Sequence, residues 1–217
     1  MDHRLRERLR VRLAQERGYY RYPAGARTRF ALVYPNTYFV GMSNLGLHIV
    51  YALLNERSDT ACERVFLPDR DEMPRYVRTN TPMMSVETQT PLADFAIVGF
   101  AISFEMDYFH VAEMLARSHI TPLAADRTAH DPVIAGGPCA TFNPEPLAAL
   151  IDAFVIGEGE AILPAMMDAY HAGLHAGDDR TALLQRLSHV PGVYVPALYT
   201  PAYDAEGHLT ALLPQAG

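Results

Sequence analysis

The sequence predicts an α/β fold built on a doubly wound, mainly parallel sheet of about five strands. Three observations predict it. Apolar runs at residues 95–103, 133–135 and 153–156 lack polar alternation, as strands covered on both faces do. Stretches with apolar residues at helical spacing separate the runs. Glycines follow two of them, at Gly136, Gly137 and Gly157, where a parallel sheet delivers loops to a ligand.

Taken in order, the chain starts with Arg4, Arg6, Arg8, Arg10 and Arg12 around Leu5, Leu9 and Leu13, the pattern of a solvated helix with one apolar stripe. Gly18 to Gly25 is a connector punctuated by Gly and Pro. The first strand covers residues 29–34 and stops at Pro35-Asn36; a helix over 44–55 follows, with Ser43 as its N-cap. A second strand is expected at 63–67, a short helix at 69–78, and a brief edge strand at 83–87 between Pro82 and Pro91.

Residues 95–103 form the central strand. A helix over 107–119, a strand at 132–136, a short helix at 144–150, a strand at 153–156 and a long helix at 160–175 continue the alternation. With right-handed crossovers, this order of elements is flavodoxin- or Rossmann-like. A helix at 179–188, a strand at 192–196 and a hairpin turn at 203–207 make a C-terminal α/β extension, whose end carries no cap or charge and reads as a linker. The expected organisation is an N-terminal helix and connector (1–27), the main domain (28–176) and the extension (177–217).

The chain has 217 residues, 49% of them hydrophobic, enough for one ordinary core. No apolar run approaches the roughly 18 residues of a membrane span, and the N-terminus lacks the apolar core of a secretion signal, so the expected location is the cytoplasm. A net charge of −7 argues against general nucleic-acid binding, which draws on excess basic charge. All 18 basic residues are arginines, so no Walker-type phosphate loop with its lysine exists. The two cysteines, Cys62 and Cys139, belong to no Cys-x-x-Cys or Cys/His ligand set and are expected reduced and at least partly buried.

Ligands of such sheets bind at the carboxyl ends of the strands, so the loops at 35–44, 103–107, 136–142 and 157–160 should converge. Gly41-Met-Ser-Asn-Leu-Gly46 offers backbone N–H groups at a helix start. Glu158 and Glu160 flank a glycine at another helix start, with no nucleophile and orienting base beside them. His48, His110, His119 and His130 stand singly and read as surface or packing residues.

Several of these segments together carry a resemblance. Arg29-Phe-Ala-Leu-Val-Tyr-Pro-Asn-Thr-Tyr-Phe-Val-Gly-Met-Ser-Asn-Leu-Gly46, Glu63-Arg-Val-Phe66, Ile97-Val-Gly-Phe100, Gly136-Gly-Pro138, Asn143-Pro-Glu-Pro146 and Gly157-Glu-Gly-Glu160 occur in that order. Over roughly residues 28–175 the chain resembles the N-terminal half of cobalamin-binding-domain radical S-adenosylmethionine (SAM) proteins. The resemblance implies a Rossmann-like accessory domain, with SAM, a 4Fe-4S cluster and catalysis in a C-terminal radical SAM domain of the same gene or a separate chain. This chain has no Cys-x-x-x-Cys-x-x-Cys triplet of its own.

The resemblance further implies a corrinoid. The Asp-x-His-x-x-Gly loop that ligates cobalt in many cobalamin domains corresponds here to Asn36-Thr-Tyr38-Phe-Val-Gly41. A phenol titrating near pH 10 is a poor cobalt ligand, so cobalamin is expected with its tail buried and without His ligation. The implied cofactor-binding residues are Asn36, Tyr38, Gly41, Ser43, Asn44, Ser103, Gly136, Gly137 and Pro138. Two rivals accompany this reading: a docking module without ligand, and a flavodoxin-like flavin- or phosphate-binding protein using the Ser43-Asn44 helix start.

Overall fold

In the computed structural model the described residues are all except 1, 24, 26, 129–131 and 216–217. His130 thus lies outside the described residues. The chain opens with α1 (His3–Ala14), then β1 (Thr28–Thr37), α2 (Tyr38–Met42), α3 (Leu45–Glu56), β2 (Thr60–Leu67), α4 (Met73–Thr79) and β3 (Ile97–Ala101). It continues through α5 (Tyr108–Arg117), β4 (Val133–Gly136), α6 (Pro138–Phe142), β5 (Ala153–Val155), α7 (Gly159–Ala176), α8 (Arg180–Ser188) and β6 (Val193–Tyr194). A two-stranded antiparallel hairpin, β7 (Tyr199–Tyr203) and β8 (Leu209–Pro214), ends it.

The main sheet has six strands in the order β2-β1-β3-β4-β5-β6, the first five parallel and β6 antiparallel. The parallel part is the flavodoxin-like order. From β1 the chain crosses to β2 on one side, and from β3 it crosses to β4 on the other. Right-handed crossovers in opposite directions put α3 and α5 on opposite faces. The expected α/β architecture is therefore present, with one more strand than expected.

Local packing explains where element boundaries differ. β1 runs on through Pro35 and Asn36 to Thr37, with a shift in register against β2 that accommodates a residue lacking an N–H. Residues 38–42 form their own short helix, so Ser43 closes α2 and its hydroxyl donates back to the Phe39 carbonyl at 2.8 Å. Asn44 is the N-cap of α3, accepting the Leu47 N–H at 2.9 Å. The expected helix at 144–150 is only a single 3₁₀ turn at Glu145–Leu147, because Pro144 and Pro146 remove two donors there. The helix of that loop is α6 instead.

No strand forms at 83–87; the segment makes an isolated bridge, Met84 to Pro91. The reason is Glu87. The Val86 N–H donates to the Arg64 carbonyl at 2.8 Å, but the next contact is made by a side chain, since the Arg64 N–H donates to Glu87 Oε2 at 2.8 Å. Glu87 Oε1 also accepts from Arg64 Nε at 2.7 Å, while Arg64 Nη2 donates to Glu16 Oε2 at 2.7 Å. The guanidinium lies over the Tyr51 ring, 4.5 Å from its centroid. Arg64 is thus buried and fully engaged.

α1 is fastened on the same side of the molecule. Asp2 caps it, Leu5, Leu9 and Leu13 are buried in the core, and Arg8 and Arg12 pair with Glu72 at 2.9 Å and Asp69 at 3.0 Å. Both arginines are therefore committed to ion pairs within the chain, as is Arg10 with Glu7 at 3.5 Å. At the other end, Leu183 and Leu187 of α8 enter the same core, with Leu183 against Gly173 of α7.

Removing one member of a buried ion pair leaves the other charge without compensation, at a cost of about 3–5 kcal/mol, whereas replacing both by apolar groups is far milder. Glu87→Ala should therefore lower the urea-unfolding free energy by about that amount. An Arg64→Met/Glu87→Leu double variant should lose much less, measured by the same titration.

Candidate functional site

The glycine loops converge as their sequence positions require. A cleft of about 520 Å³ opens at the carboxyl edge and runs along one face of the sheet beneath α3 and α7. This is a usual size for a small-molecule site. Its floor is formed by Phe30 and Leu32 of β1, Gly99 and Ala101 of β3, Ile134 and Gly136 of β4, and Val155 of β5. Alternate residues share one face of a strand, which brings these side chains together; Phe100, Ile102 and Ala135 line the cleft as well.

Two glycines act oppositely on the floor. A Cβ on Gly99 would come within 2.6 Å of Phe30 Cζ, so the Phe30 ring already fills that space. A Cβ on Gly136 would meet Val155 at an ordinary 3.5 Å, so Gly136 leaves open room that a side chain could occupy. Gly137 has a backbone role: its φ is +103°, and a Cβ would lie 2.6 Å from the Ile102 carbonyl oxygen. It turns the chain sharply from β4 into α6.

At the mouth, Asn44 Nδ2 donates to Ser103 Oγ at 3.2 Å, linking the loops after β1 and β3. The Gly157 N–H donates to Thr141 Oγ1 at 3.2 Å, linking those after β4 and β5. Among the described residues, Glu158 and Glu160 supply the only charged groups of the lining, and no arginine or histidine lines the cleft. Large apolar side chains surround this edge in the open: Phe39, Leu45, Phe104, Met106, Phe109 and Phe142 are all exposed.

The cleft therefore gathers Asn44, Ser103, Gly136, Gly137 and Pro138 of the expected residues, and leaves out Asn36, Tyr38, Gly41 and Ser43. Tyr38 points elsewhere: its hydroxyl donates to Glu16 Oε1 at 2.7 Å and its ring lies edge-on to Phe66, with the Arg12 guanidinium 4.7 Å above it. Burial, then the Glu16 carboxylate, pushes its pKa up to about 12. Gly41 serves packing, since a Cβ there would be 2.4 Å from Phe66 Cε1. Ser43 is an exposed helix end.

Asn36 belongs to a second cluster at the same edge. Its Nδ2 donates to Asp107 Oδ1 at 2.9 Å, and His110 Nδ1 is 2.8 Å from the Pro35 carbonyl oxygen. Asp107 is 1% exposed, and burial raises its pKa against the lowering effect of the Asn36 hydrogen bond. Nothing in the sequence spacing joins Pro35, Asn36, Asp107 and His110; the pairing of β1 with β3 does.

Both walls of the cleft are held by Arg57 at the end of α3. It grips Asp59 with two bonds of 2.9 and 2.7 Å and reaches Asp168 on α7 at 2.7 Å and the Pro164 carbonyl at 3.3 Å. No helix among the described residues is long and apolar enough to cross a membrane. Cys62 and Cys139 are free thiols and buried.

The fold and cleft define a flavodoxin-type α/β domain with a ligand-sized site at the carboxyl edge of its sheet. The comparisons with known proteins name its family. The family described as radical SAM proteins, N-terminal, matches residues 46–196, well over half of the chain, and the chain belongs to it. An uncharacterized protein of Methanocaldococcus jannaschii, MJ0966, is 23% identical over 133 residues, which cover 60% of this chain and 24% of that relative. The chain thus spans about a quarter of the length of the curated relative it matches. No solved structure matches it.

The Arg57 clamp predicts a specific acid response. Hydrogen bonds from Arg57 hold the Asp59 carboxyl at about 2, below its ordinary 3.8. A depressed carboxyl contributes stability that is complete above the unfolded value and lost as pH falls through the folded one. Urea midpoints of the wild type and Asp59→Asn should therefore differ most above pH 3.8 and converge as pH approaches 2.

Proposed function

We propose that the chain is the accessory, corrinoid-holding domain of a radical SAM protein, with a cobalamin on the carboxyl edge of the sheet and its nucleotide tail in the cleft under α3 and α7. The observation that supports this reading is the open floor at Gly136, where a Cβ would find room that the fold itself does not use. The lining is apolar below and hydrogen-bonding at the mouth, which suits a flat aromatic base carried on a polar chain. Asn44 and Ser103 orient the tail, Gly137 lets it pass close to backbone, and Phe30 closes the floor. A bound cobalamin would supply cobalt-centred alkyl or electron transfer chemistry to the partner domain.

The proposed partner is a C-terminal radical SAM domain, in the same gene or a separate chain, which would carry SAM and the 4Fe-4S cluster. The loop after β1 contributes no cobalt ligand in this reading, because the Tyr38 hydroxyl is occupied by Glu16. The exposed apolar edge favours a second role alongside the first, as the docking surface for the catalytic domain.

Hydroxocobalamin mixed with the chain should remain with it through gel filtration; elution of the protein free of corrinoid would remove the binding reading. Gly136→Leu should fold, since its Cβ meets only ordinary contacts, and should weaken retention by about tenfold or more, because overfilling a site costs about 1–3 kcal/mol. Circular dichroism checks the fold and ultraviolet–visible titration the affinity.

A further inference from the structure

His110 stands on the first turn of α5, and its surroundings fix which way its ring is protonated. A carbonyl oxygen can only accept, so the nitrogen 2.8 Å from the Pro35 oxygen, Nδ1, carries the hydrogen. In the neutral ring the lone pair is then on Nε2. That atom makes no hydrogen bond among the described residues, and the side chain is 34% exposed. Asp107 backs the ring: its Oδ1 lies 3.4 Å from His110 Nδ1, its side chain is 2% exposed, and its Oδ2 is buried with no hydrogen-bond partner. Imidazoles that ligate metals are oriented in this way, with the remote nitrogen held by a carbonyl or carboxylate that also raises the basicity of the free one.

The location is equally informative. Pro35 is near the carboxyl end of β1, next to β3, and the crossovers leave these two strands in opposite directions. That is the switch point at which sheets of this order bind cofactors. Phe104, Met106 and Phe109, all exposed, flank His110 on the same loop and helix. An accessible imidazole nitrogen among exposed apolar groups matches one face of a flat macrocycle with a metal at its centre.

We propose that His110 Nε2 is the protein ligand to the cobalt of the corrinoid, replacing from the helix after β3 the imidazole that the loop after β1 lacks. The inference rests on the corrinoid reading above. The exchange would be a ligand substitution: Nε2 would serve as nitrogen donor to the metal in place of the nucleotide base, which would withdraw into the cleft. No electron is transferred, and the Nδ1 proton stays on the bond to Pro35. Asp107 is a positioning residue that acts through the ring.

The test uses chain uniformly labelled with ¹⁵N, loaded with unlabelled hydroxocobalamin, reduced chemically to the cobalt(II) form and examined by electron paramagnetic resonance. Ligation by His110 gives each cobalt line a ¹⁵N doublet, and His110→Ala loses that doublet while still retaining corrinoid. A triplet in the labelled protein, the sign of the cofactor's own ¹⁴N base, would overturn the assignment and leave corrinoid binding standing. So would retained corrinoid with no nitrogen splitting, or a doublet that survives in His110→Ala. Corrinoid absent after gel filtration of the wild type would instead overturn the functional reading on which the assignment rests. The wild-type spectrum does not depend on any variant folding, and His110→Gln provides a second replacement of similar size.

Discussion

The buried charge of Arg64 constrains more of this molecule than any other single group. β2 is an edge strand, yet each of its eight residues is buried, so its open side must be covered by something other than another strand. A guanidinium in that position is tolerable only with carboxylates beside it. Glu87 comes from the loop before β3 and Glu16 from the segment after α1, and both bonds to Arg64 are 2.7 Å long. One cation thereby holds two distant pieces of chain against the edge. The effect reaches the ligand side as well, because the Glu16 oxygen not used by Arg64 accepts from Tyr38 and draws it away from the carboxyl edge.

The cleft follows from a different constraint, the close approach of helices to a sheet face that is not filled everywhere. Phe30 over Gly99 closes part of that face, and Gly136 keeps another part open. Because α3 and α7 are tied together through Arg57, Asp59, Asp168 and the Pro164 carbonyl, the opening is a property of a fastened pair of helices. Its glycines and its walls thus depend on separate interactions. The same edge holds a second arrangement on the α5 side, where Asn36, Asp107 and His110 meet.

Much of the fold was legible in the sequence because it rests on patterns within one segment. Uninterrupted apolar runs marked β3, β4 and β5, and helical spacing marked α1, α3, α5 and α7 correctly to within a few residues. What escaped depended on partners far along the chain. The Glu87 carboxylate occupies a backbone donor of β2 and prevents a strand at 83–87, and no local pattern announces that. The place of some residues at the candidate cleft was legible for the same reason: Gly136, Gly137 and Ser103 follow strands and must reach the edge. Tyr38 and Gly41 follow a strand too, but contacts with Glu16 and Phe66 turn them into packing residues. A single histidine at 110 carried no signal until the Pro35 carbonyl fixed its tautomer.

The cleft and the exposed apolar edge also make energetic sense only together. Burying a large apolar side chain contributes about 1.5–3 kcal/mol, so covering Phe104, Met106 and Phe109 would yield roughly 5–9 kcal/mol. Association costs an estimated 4–15 kcal/mol in lost translational and rotational freedom, which leaves little or nothing from the edge alone. A cofactor resting only on those side chains would exchange readily. A tail in the cleft would add a second apolar contact without a second association cost, and a metal bond at His110 would add a third. Phe39, Leu45 and Phe142 lie at the same edge beyond these three, and a domain joined covalently to this one could cover them at a high effective concentration. With the proposed cofactor and catalytic domain in place, the edge would hold one in its depth and the other over its rim.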